Sequence, residues 1–484
     1  MDLRLCRMSR ALHVLGLDRP PQTAVQAVDA GGTGTTASLL ASPGQDRPPQ
    51  TVVQVVGAGG KGTTAALSAP LGQDRPPQVV VQVVGTNGKG STATLLAALC
   101  AAHGLTCGLY TSPHFLSVRE RIRCYQGDIP GAAATPGAPL SDGFFSEADW
   151  LDAARAVLAA TAPSGDAGRL TYFELLTVMA ARLFATRPVD VAVYEAGLGG
   201  SHDATTALFR DMTVFTPIGL DHAHILGPAL CDIARDKAGA IPDGGLAVTG
   251  PQAPEALAAL AKRARTAGAR LVSVREVLDY DAAAGVVRPL AAAGPVIEAG
   301  PVIEAAPLGM PGAFQAENAA TALAAFFLLA QKLGIAIRPG AVRRALGQTR
   351  LPGRIERLRL PGAAGELLVD CAHNVPALTA LGAALAADGI SPAAVIFTCL
   401  ADKDFSGMAD IVRRLTTGPI IVPGLVCPGR TRDAADVAHG LGERAEAVPD
   451  VAAALTRVRD IPGTVVVCGS MYLLAEVMGM FHAP

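Results

Sequence analysis

The stretch Val79–Thr92, VVVQVVGTNGKGST, decides the fold. Val79–Val84 is apolar except for Gln82. A run of that length, closed by Gly85, predicts a strand buried on both faces of a parallel sheet. Gly85, Gly88, Lys89, Gly90 and Ser91 follow, and Thr92–Ala102 reads as an Ala/Leu-rich helix. Strand, glycine loop and helix form a phosphate cradle. Glycines let backbone N–H groups approach the oxygens, the helix N-terminus favours anions, the lysine reaches the outer phosphates, and a hydroxyl can ligate magnesium. An ordinary tight turn also uses glycine. It is Gly-Lys-Gly-Ser between a strand and a helix that points to a nucleotide.

The chain has 484 residues, which predicts two domains. Its 40 basic and 42 acidic residues leave a net charge of −2, so no basic field suggests nucleic acid. Nine scattered cysteines with no C-x-x-C pair fit reduced thiols in a cytosolic protein better than a disulfide framework. The first 17 residues have helical apolar spacing and no signal-peptide core. The longest lipophilic stretch, Ala319–Ala330, is too short to span a membrane. A soluble cytoplasmic protein is expected, without nucleic-acid or membrane partners.

The glycine loop occurs three times. Asp18, Asp46 and Asp74 each open a DRPPQ segment, with a period of 28 residues. The loops are DAGGTGTT at Asp29–Thr36, GAGGKGTT at Gly57–Thr64 and GTNGKGST at Gly85–Thr92. The first has Thr33 in the lysine position. The second keeps Lys61 but runs into Pro and Gly. Only the third leads into a full-length helix. Such a period can mark a solenoid, but it stops after three copies. A tandem duplication, with 18–73 as two degenerate copies, is the simpler account; a second nucleotide site at Lys61 is the alternative.

Strands and helices alternate beyond the loop. The break at LPGR, Leu351–Arg354, divides 74–350 from 351–484. The expected class is α/β: a mainly parallel, P-loop-type ATPase domain followed by a smaller Rossmann-like α/β domain. Ligands of open parallel sheets sit beyond the carboxyl ends of the strands. Lys89, Ser91, Ser112, Glu195 and His222 all fall at such ends. Glu195, before Gly197, suits a magnesium ligand, although a cap or salt bridge would explain it as well. Asp221-His222-x-His224 admits a transition-metal reading but lacks further ligands nearby, and His224 reads as structural. Asp370-Cys371-Ala372-His373-Asn374 follows a strand of the second domain and by itself reads equally as a polar turn.

Together these motifs resemble the folylpolyglutamate synthase/dihydrofolate synthase family of the Mur-ligase superfamily. The matching stretches include GTNGKGS (Gly85–Ser91), TSPH (Thr111–His114), RERIR (Arg119–Arg123), LTYFE (Leu170–Glu174), EAGLGGSHDATT (Glu195–Thr206), GLDHAHILG (Gly219–Gly227), DKAGAI (Asp236–Ile241), LPGRIE (Leu351–Glu356), DCAHN (Asp370–Asn374) and DKD (Asp402–Asp404). The resemblance implies that Gly85, Asn87, Gly88, Lys89, Gly90 and Ser91, with Asn318, Arg354 and Asp370, bind ATP. Ser112, Glu195 and His222 would ligate Mg²⁺, with two metal sites expected. Lys237 matches a carbamylated lysine, and Lys89, Lys237 and His373 form the expected catalytic set. Thr171, Tyr172, Phe173, Glu174, His202, Asp203 and Ala204 match dihydropteroate-binding positions. Departures are Ser201-His202 and Thr206 after the double glycine, Phe314 before Gln315, and Val375 after AHN.

The implied reaction passes the γ-phosphoryl of ATP to a substrate carboxylate. The amine of L-glutamate then displaces phosphate to give an amide. Dihydropteroate and reduced folates are the expected acceptors. Alternatives are polyglutamylation only, another Mur-type amino-acid ligase, or a non-catalytic nucleotide-binding protein. Deletion of Asp18–Gln73 joins Leu17 to Asp74 and is expected to keep ligase activity; a deletion protein that folds but does not turn over would show the first two copies to be functional.

Overall fold

The computed structural model describes residues 15, 79–126, 143, 145–161, 170–281, 283, 286–290, 301–304, 306–426 and 430–481. The expected N-terminal helix and both degenerate loop copies, with Lys61, lie outside these residues, apart from Leu15. So does most of Gly131–Ser146, whose prolines and small residues read as a loop.

The first sheet has seven strands: β1 (Val79–Val84), β2 (Cys107–Tyr110), β3 (Ile122–Tyr125), β4 (Val191–Glu195), β5 (Met212–Phe215), β6 (Leu246–Thr249) and β7 (Arg270–Ser273), in the order β3-β2-β4-β1-β5-β6-β7. All neighbours pair in parallel except β2 and β3. Strand β1 is central and every residue in it is buried. Val81 is aligned with Val193 on one side and with Met212 on the other. Gln82, the polar exception, donates its amide to the hydroxyls of Thr205 at 2.7 Å and Thr206 at 2.8 Å. It therefore ties the loop after β4 to the central strand.

The helix after β1 runs Lys89–Ala102 and packs in one apolar core with Ala313–Leu333 and Pro339–Gln348. The helix Ala313–Leu333 extends beyond the lipophilic stretch seen in the sequence. With 21 residues it is long and apolar enough to cross a membrane, which corrects the expectation from Ala319–Ala330. Its most apolar window is 72% buried inside the fold, as in a core helix.

The second sheet contains β10 (Glu356–Leu358), β11 (Gly365–Val369), β12 (Ala394–Phe397), β13 (Ile420–Pro423), β14 (Ala445–Val448) and β15 (Gly463–Cys468), in the order β10-β11-β15-β12-β13-β14. Only the β10–β11 pair is antiparallel. Two α/β domains with mainly parallel sheets are thus present. A small hairpin, β8 (Leu278–Asp281) with β9 (Val286–Pro289), lies between them in sequence. In the tandem GPVIEA at Gly294–Ala305, whose sequence reads as a surface loop or a hairpin, Ile303 of the second copy is buried and bridges Val287 of this hairpin.

Candidate active site

The site lies at the carboxyl edge of the first sheet. Strands β2, β4, β1 and β5 are neighbours there, so Ser112, Glu195, the glycine loop and the segment leading to His222 converge. The chain leaves β1 for β2, returns at β4 and continues to β5 on the other side. This reversal of strand order opens a crevice above β1.

Glycine is required at two places in the loop. A Cβ on Gly85 would lie 1.9 Å from Thr216 Oγ1, and one on Gly88 would lie 2.2 Å from Asn318 Oδ1. Gly88 also has φ 84°, in the left-handed region. The loop is therefore pressed between β5 and the helix carrying Asn318. Lys89 folds back and donates to the Thr86 carbonyl at 3.0 Å. Burial lowers its pKa, opposed by Glu195 and Asp221.

Glu195 is buried at the end of β4 and accepts from the Ser112 backbone N–H at 3.0 Å. Burial raises its pKa, with Lys89 the main opposing charge. Lys237 belongs to the helix Leu230–Ala238 and donates to the Gly85 carbonyl at 2.8 Å. The double glycine after β4 admits that helix: a Cβ on Gly200 would lie 2.5 Å from the Lys237 carbonyl oxygen. Burial, then the charge on Lys89, pushes the Lys237 pKa down to about 7. In sequence terms alone this residue reads as a surface helix lysine. Its burial instead comes from the docking of the helix against the loop.

The second domain supplies the facing wall. Arg354 Nε reaches Ser91 Oγ at 3.4 Å. Its neighbour Ile355 has φ 48°, a strained conformation for a β-branched residue. The buried carboxylate of Asp370 holds it, accepting from the Ile355 N–H at 3.0 Å and the Ala372 N–H at 2.9 Å. Burial raises the Asp370 pKa, and the Arg354 charge opposes that. His373 Nδ1 lies 2.8 Å from the Cys371 carbonyl. Burial and the Lys403 charge push its pKa down to about 3, so its ring is neutral near pH 7.

Sequence reasoning passed over the contact that joins the two walls. Lys403 Nζ is 2.7 Å from Asp221 Oδ1, and both side chains are buried. Asn374 donates to Asp221 Oδ2 at 2.8 Å and exchanges amide hydrogen bonds with Asn87 at 3.0 and 3.2 Å. Burial alone would raise the Asp221 pKa, but Lys403, His222 and the Asn374 hydrogen bond hold it well below the usual carboxylate range. Lys403 Nζ also faces His222 Nε2 at 3.2 Å. Ser112 and Glu195 thus form one group, while His222 stands with Lys403 and Asp221. Among the described residues no cluster of three or more His, Cys, Asp or Glu side chains is assembled for a metal. His224 is exposed, so it is not a packed core histidine.

The residues matched to dihydropteroate positions lie around the start of the helix Tyr172–Thr186 and the loop after β4. Thr171 and Glu174 form a reciprocal capping box. Asp203 is buried and accepts from the N–H groups of Gly197, Leu198 and Thr205, each at 2.9 Å. Burial raises its pKa, and these bonds oppose the rise. Phe173 covers Gly197, where a Cβ would lie 2.7 Å from its ring. Tyr172 and His202 are exposed, and Ala204 is buried. Thr171, Glu174 and Asp203 therefore shape the local backbone, whereas Tyr172 and Phe173 present rings.

No protein-family model matches the chain. The chain is 30% identical over 383 residues to folylpolyglutamate synthase of Lacticaseibacillus casei, spanning 79% of this chain and 85% of the relative. It is 34% identical over 414 residues to dihydrofolate synthase/folylpolyglutamate synthase of Mycobacterium tuberculosis, spanning 77% and 81%. The chain belongs to the folylpolyglutamate synthase/dihydrofolate synthase family. Among solved members, Escherichia coli FolC in complex with DHPP and ADP superimposes with a TM-score of 0.73 at 26% identity, covering 99% of this chain and 94% of that one. A bifunctional synthase with Mn, AMPPNP and L-glutamate bound gives 0.69 at 28% identity, covering 84% and 91%.

The interface contact is testable in this family member. Lys403→Met leaves Asp221 without its cation and is expected to destabilise the protein by roughly 3–5 kcal/mol. The contribution of Asp221 is fully present above its unfolded pKa of about 3.9 and is lost as pH falls through its lower folded value. Chemical denaturation of both proteins between pH 3 and 7 reads this; a loss below about 1 kcal/mol at pH 7 would show that the pair does not hold the walls together.

Proposed function

We propose that this chain joins L-glutamate to dihydropteroate and to reduced folates at the expense of ATP. The observation carrying this reading is the set of charges around a glycine loop at the end of the central strand, buried Glu195 and Lys237 with half-buried Lys89, in a chain of this family. Buried charges of both signs, with few partners of their own, suit a polyanionic ligand and its cation. Gly85, Asn87, Gly88, Lys89, Gly90 and Ser91 would cradle the phosphates of ATP. Asn318 lines that loop, and Arg354 and Asp370 would meet the nucleotide from the facing wall.

The Glu195 carboxylate fits Mg²⁺, because one backbone N–H leaves most of its hard-oxygen lone pairs available. Ser112 and His222 would complete the set, His222 after parting from Lys403. A bound divalent cation supplies charge neutralisation to the transferring phosphoryl group. Lys89 lies beside the same oxygens and adds to that effect. Closure of the two walls would exclude water from an acyl phosphate, which otherwise hydrolyses. The neutral ring of His373 lies on the second-domain wall and would help orient the incoming amine. Tyr172, Phe173 and His202 would border the pterin, with Thr171, Glu174, Asp203 and Ala204 holding them in place. The small-molecule chemistry and free cysteines are in keeping with a cytoplasmic monomer.

Phosphate release with ATP, L-glutamate and either dihydropteroate or tetrahydrofolate tests the reading. Turnover is expected with both acceptors, with a loss of at least about 100-fold in Lys89→Ala. ATP binding without turnover on either acceptor would overturn it.

Lys237 would carry a carbamate, formed when its neutral amine attacks CO₂. The amine is protonated below its pKa of about 7, so carbamylation should rise as pH increases through that value. NMR with ¹³CO₂ should show a carbamate signal growing from pH 6 to 8 and missing from Lys237→Met. A signal of equal size in that variant would contradict the assignment.

A further inference from the structure

His114 of the TSPH motif and Arg121 of the RERIR motif have no part in the functions described so far, and they meet each other. Arg121 starts the turn into the edge strand β3 and is only 9% exposed. Its carbonyl accepts from the Thr111 N–H at 2.9 Å, which fixes it beside Ser112 and Glu195 at the carboxyl edge. Nε donates to His114 Nδ1 at 2.8 Å. His114 accepts there, so its ring is in the neutral Nε2–H form; burial and the Arg121 charge both lower its pKa.

Among the described residues no carboxylate lies in ion-pair contact with Arg121. A buried guanidinium without a paired anion is costly unless a ligand supplies one. The surroundings define that ligand. The Tyr172 ring lies over the guanidinium, 5.5 Å from Cζ to the ring centroid. Tyr172 is itself 56% exposed, so the cover is on the solvent side. Phe173 packs beside Tyr110, with ring centroids 5.7 Å apart. Glu195 is near enough for its charge to interact with Arg121. Arg121 thus sits between the aromatic pair Tyr172–Phe173 and the phosphoryl end of the site. His114 takes up its Nε and the Tyr110 hydroxyl lies against the guanidinium, while no carboxylate engages the terminal NH₂ groups among the described residues. Such a planar fork matches a carboxylate in bidentate geometry.

We propose that Arg121, oriented by His114, binds and positions the acceptor carboxylate that receives the phosphoryl group: the aryl carboxylate of dihydropteroate or the side-chain carboxylate of a folate. The aromatic pair would hold the ring system behind it. This rests on the ligase reading above and adds to it the residue that selects for the acid. The phosphates of ATP are the other possible anion. They are served by Lys89 and Arg354, and Arg121 lies across Glu195 from that set.

The test compares full-length wild type, Arg121→Met and Arg121→Lys. KM for dihydropteroate, the Kd of a non-hydrolysable ATP analogue, and inhibition by a pteroate and by its carboxamide are measured on each. Arg121→Met should raise KM for dihydropteroate roughly 10- to 100-fold, leave the ATP analogue within about twofold, and abolish the preference for acid over amide. Arg121→Lys keeps the buried charge, and therefore the fold, but lacks the fork; it should still raise KM about tenfold. A folded variant of either kind that keeps the wild-type preference for acid over amide would overturn the proposal. An equal loss of ATP-analogue affinity would also overturn it and assign the arginine to the nucleotide. Failure of the wild type to turn over any pterin would overturn the ligase reading itself, which separates the two failures.

Discussion

Close backbone approach at Gly85 and Gly88 is the constraint on which the rest of the site depends. The loop after β1 has no room for a Cβ toward Thr216 or Asn318. It must run flat between a neighbouring strand and the long core helix. Its N–H groups and the start of the helix Lys89–Ala102 then face the crevice. The lysine is half-buried as a consequence, and the desolvation lowers its pKa and favours anions nearby. Lys237 completes the arrangement by donating to the Gly85 carbonyl, on the side of the loop away from the helix start. One steric requirement thus fixes a strand, two helices and the two lysines that flank the loop.

The second domain is held against this edge by polar contacts. Asp221 and Lys403 form a buried ion pair, and Asn87 and Asn374 exchange amide hydrogen bonds across the crevice. The chain crosses between the domains at Gly353–Ile355, where Asp370 stabilises a strained residue. Strain of about 1–3 kcal/mol persists only where the surroundings enforce it. Under the proposed reading the same carboxylate also meets the nucleotide, which couples the joint to the ligand. Lys403 occupies a cation's position beside His222 in this arrangement, so entry of a metal there requires the lysine to move.

Much of this was legible in the sequence because it depends on local pattern. The apolar run of β1, the glycine loop and the helix Tyr172–Thr186 carry periodicity or capping signals that need no tertiary information. Other features depend on docking. The burial of Lys237 follows from the glycine pair 199–200 against its helix, which no spacing rule contains. The Asp221–Lys403 pair joins residues 182 apart in the chain, and the DKD motif by itself reads as a polar turn. Strand β14 carries little strand signal, because its Ala and Glu residues are poor strand formers, and pairing with β13 overrides that preference. Glu174 and Asp203 illustrate the reverse. Both match substrate positions by resemblance, yet Glu174 accepts from the Thr171 N–H and Asp203 from the Gly197 and Leu198 N–H groups, so each also holds local backbone.

An acyl phosphate stands at the centre of the reaction, formed as the acceptor carboxylate attacks the γ-phosphoryl group of ATP and ADP leaves. Oxygen transfer tests that most directly. Dihydropteroate labelled with ¹⁸O in its carboxylate is converted with ATP and L-glutamate, and the released phosphate is analysed by mass spectrometry. One ¹⁸O atom per phosphate is predicted, because the carboxylate oxygen that bonds to phosphorus leaves with it. Unlabelled phosphate accompanying amide formation would contradict the account.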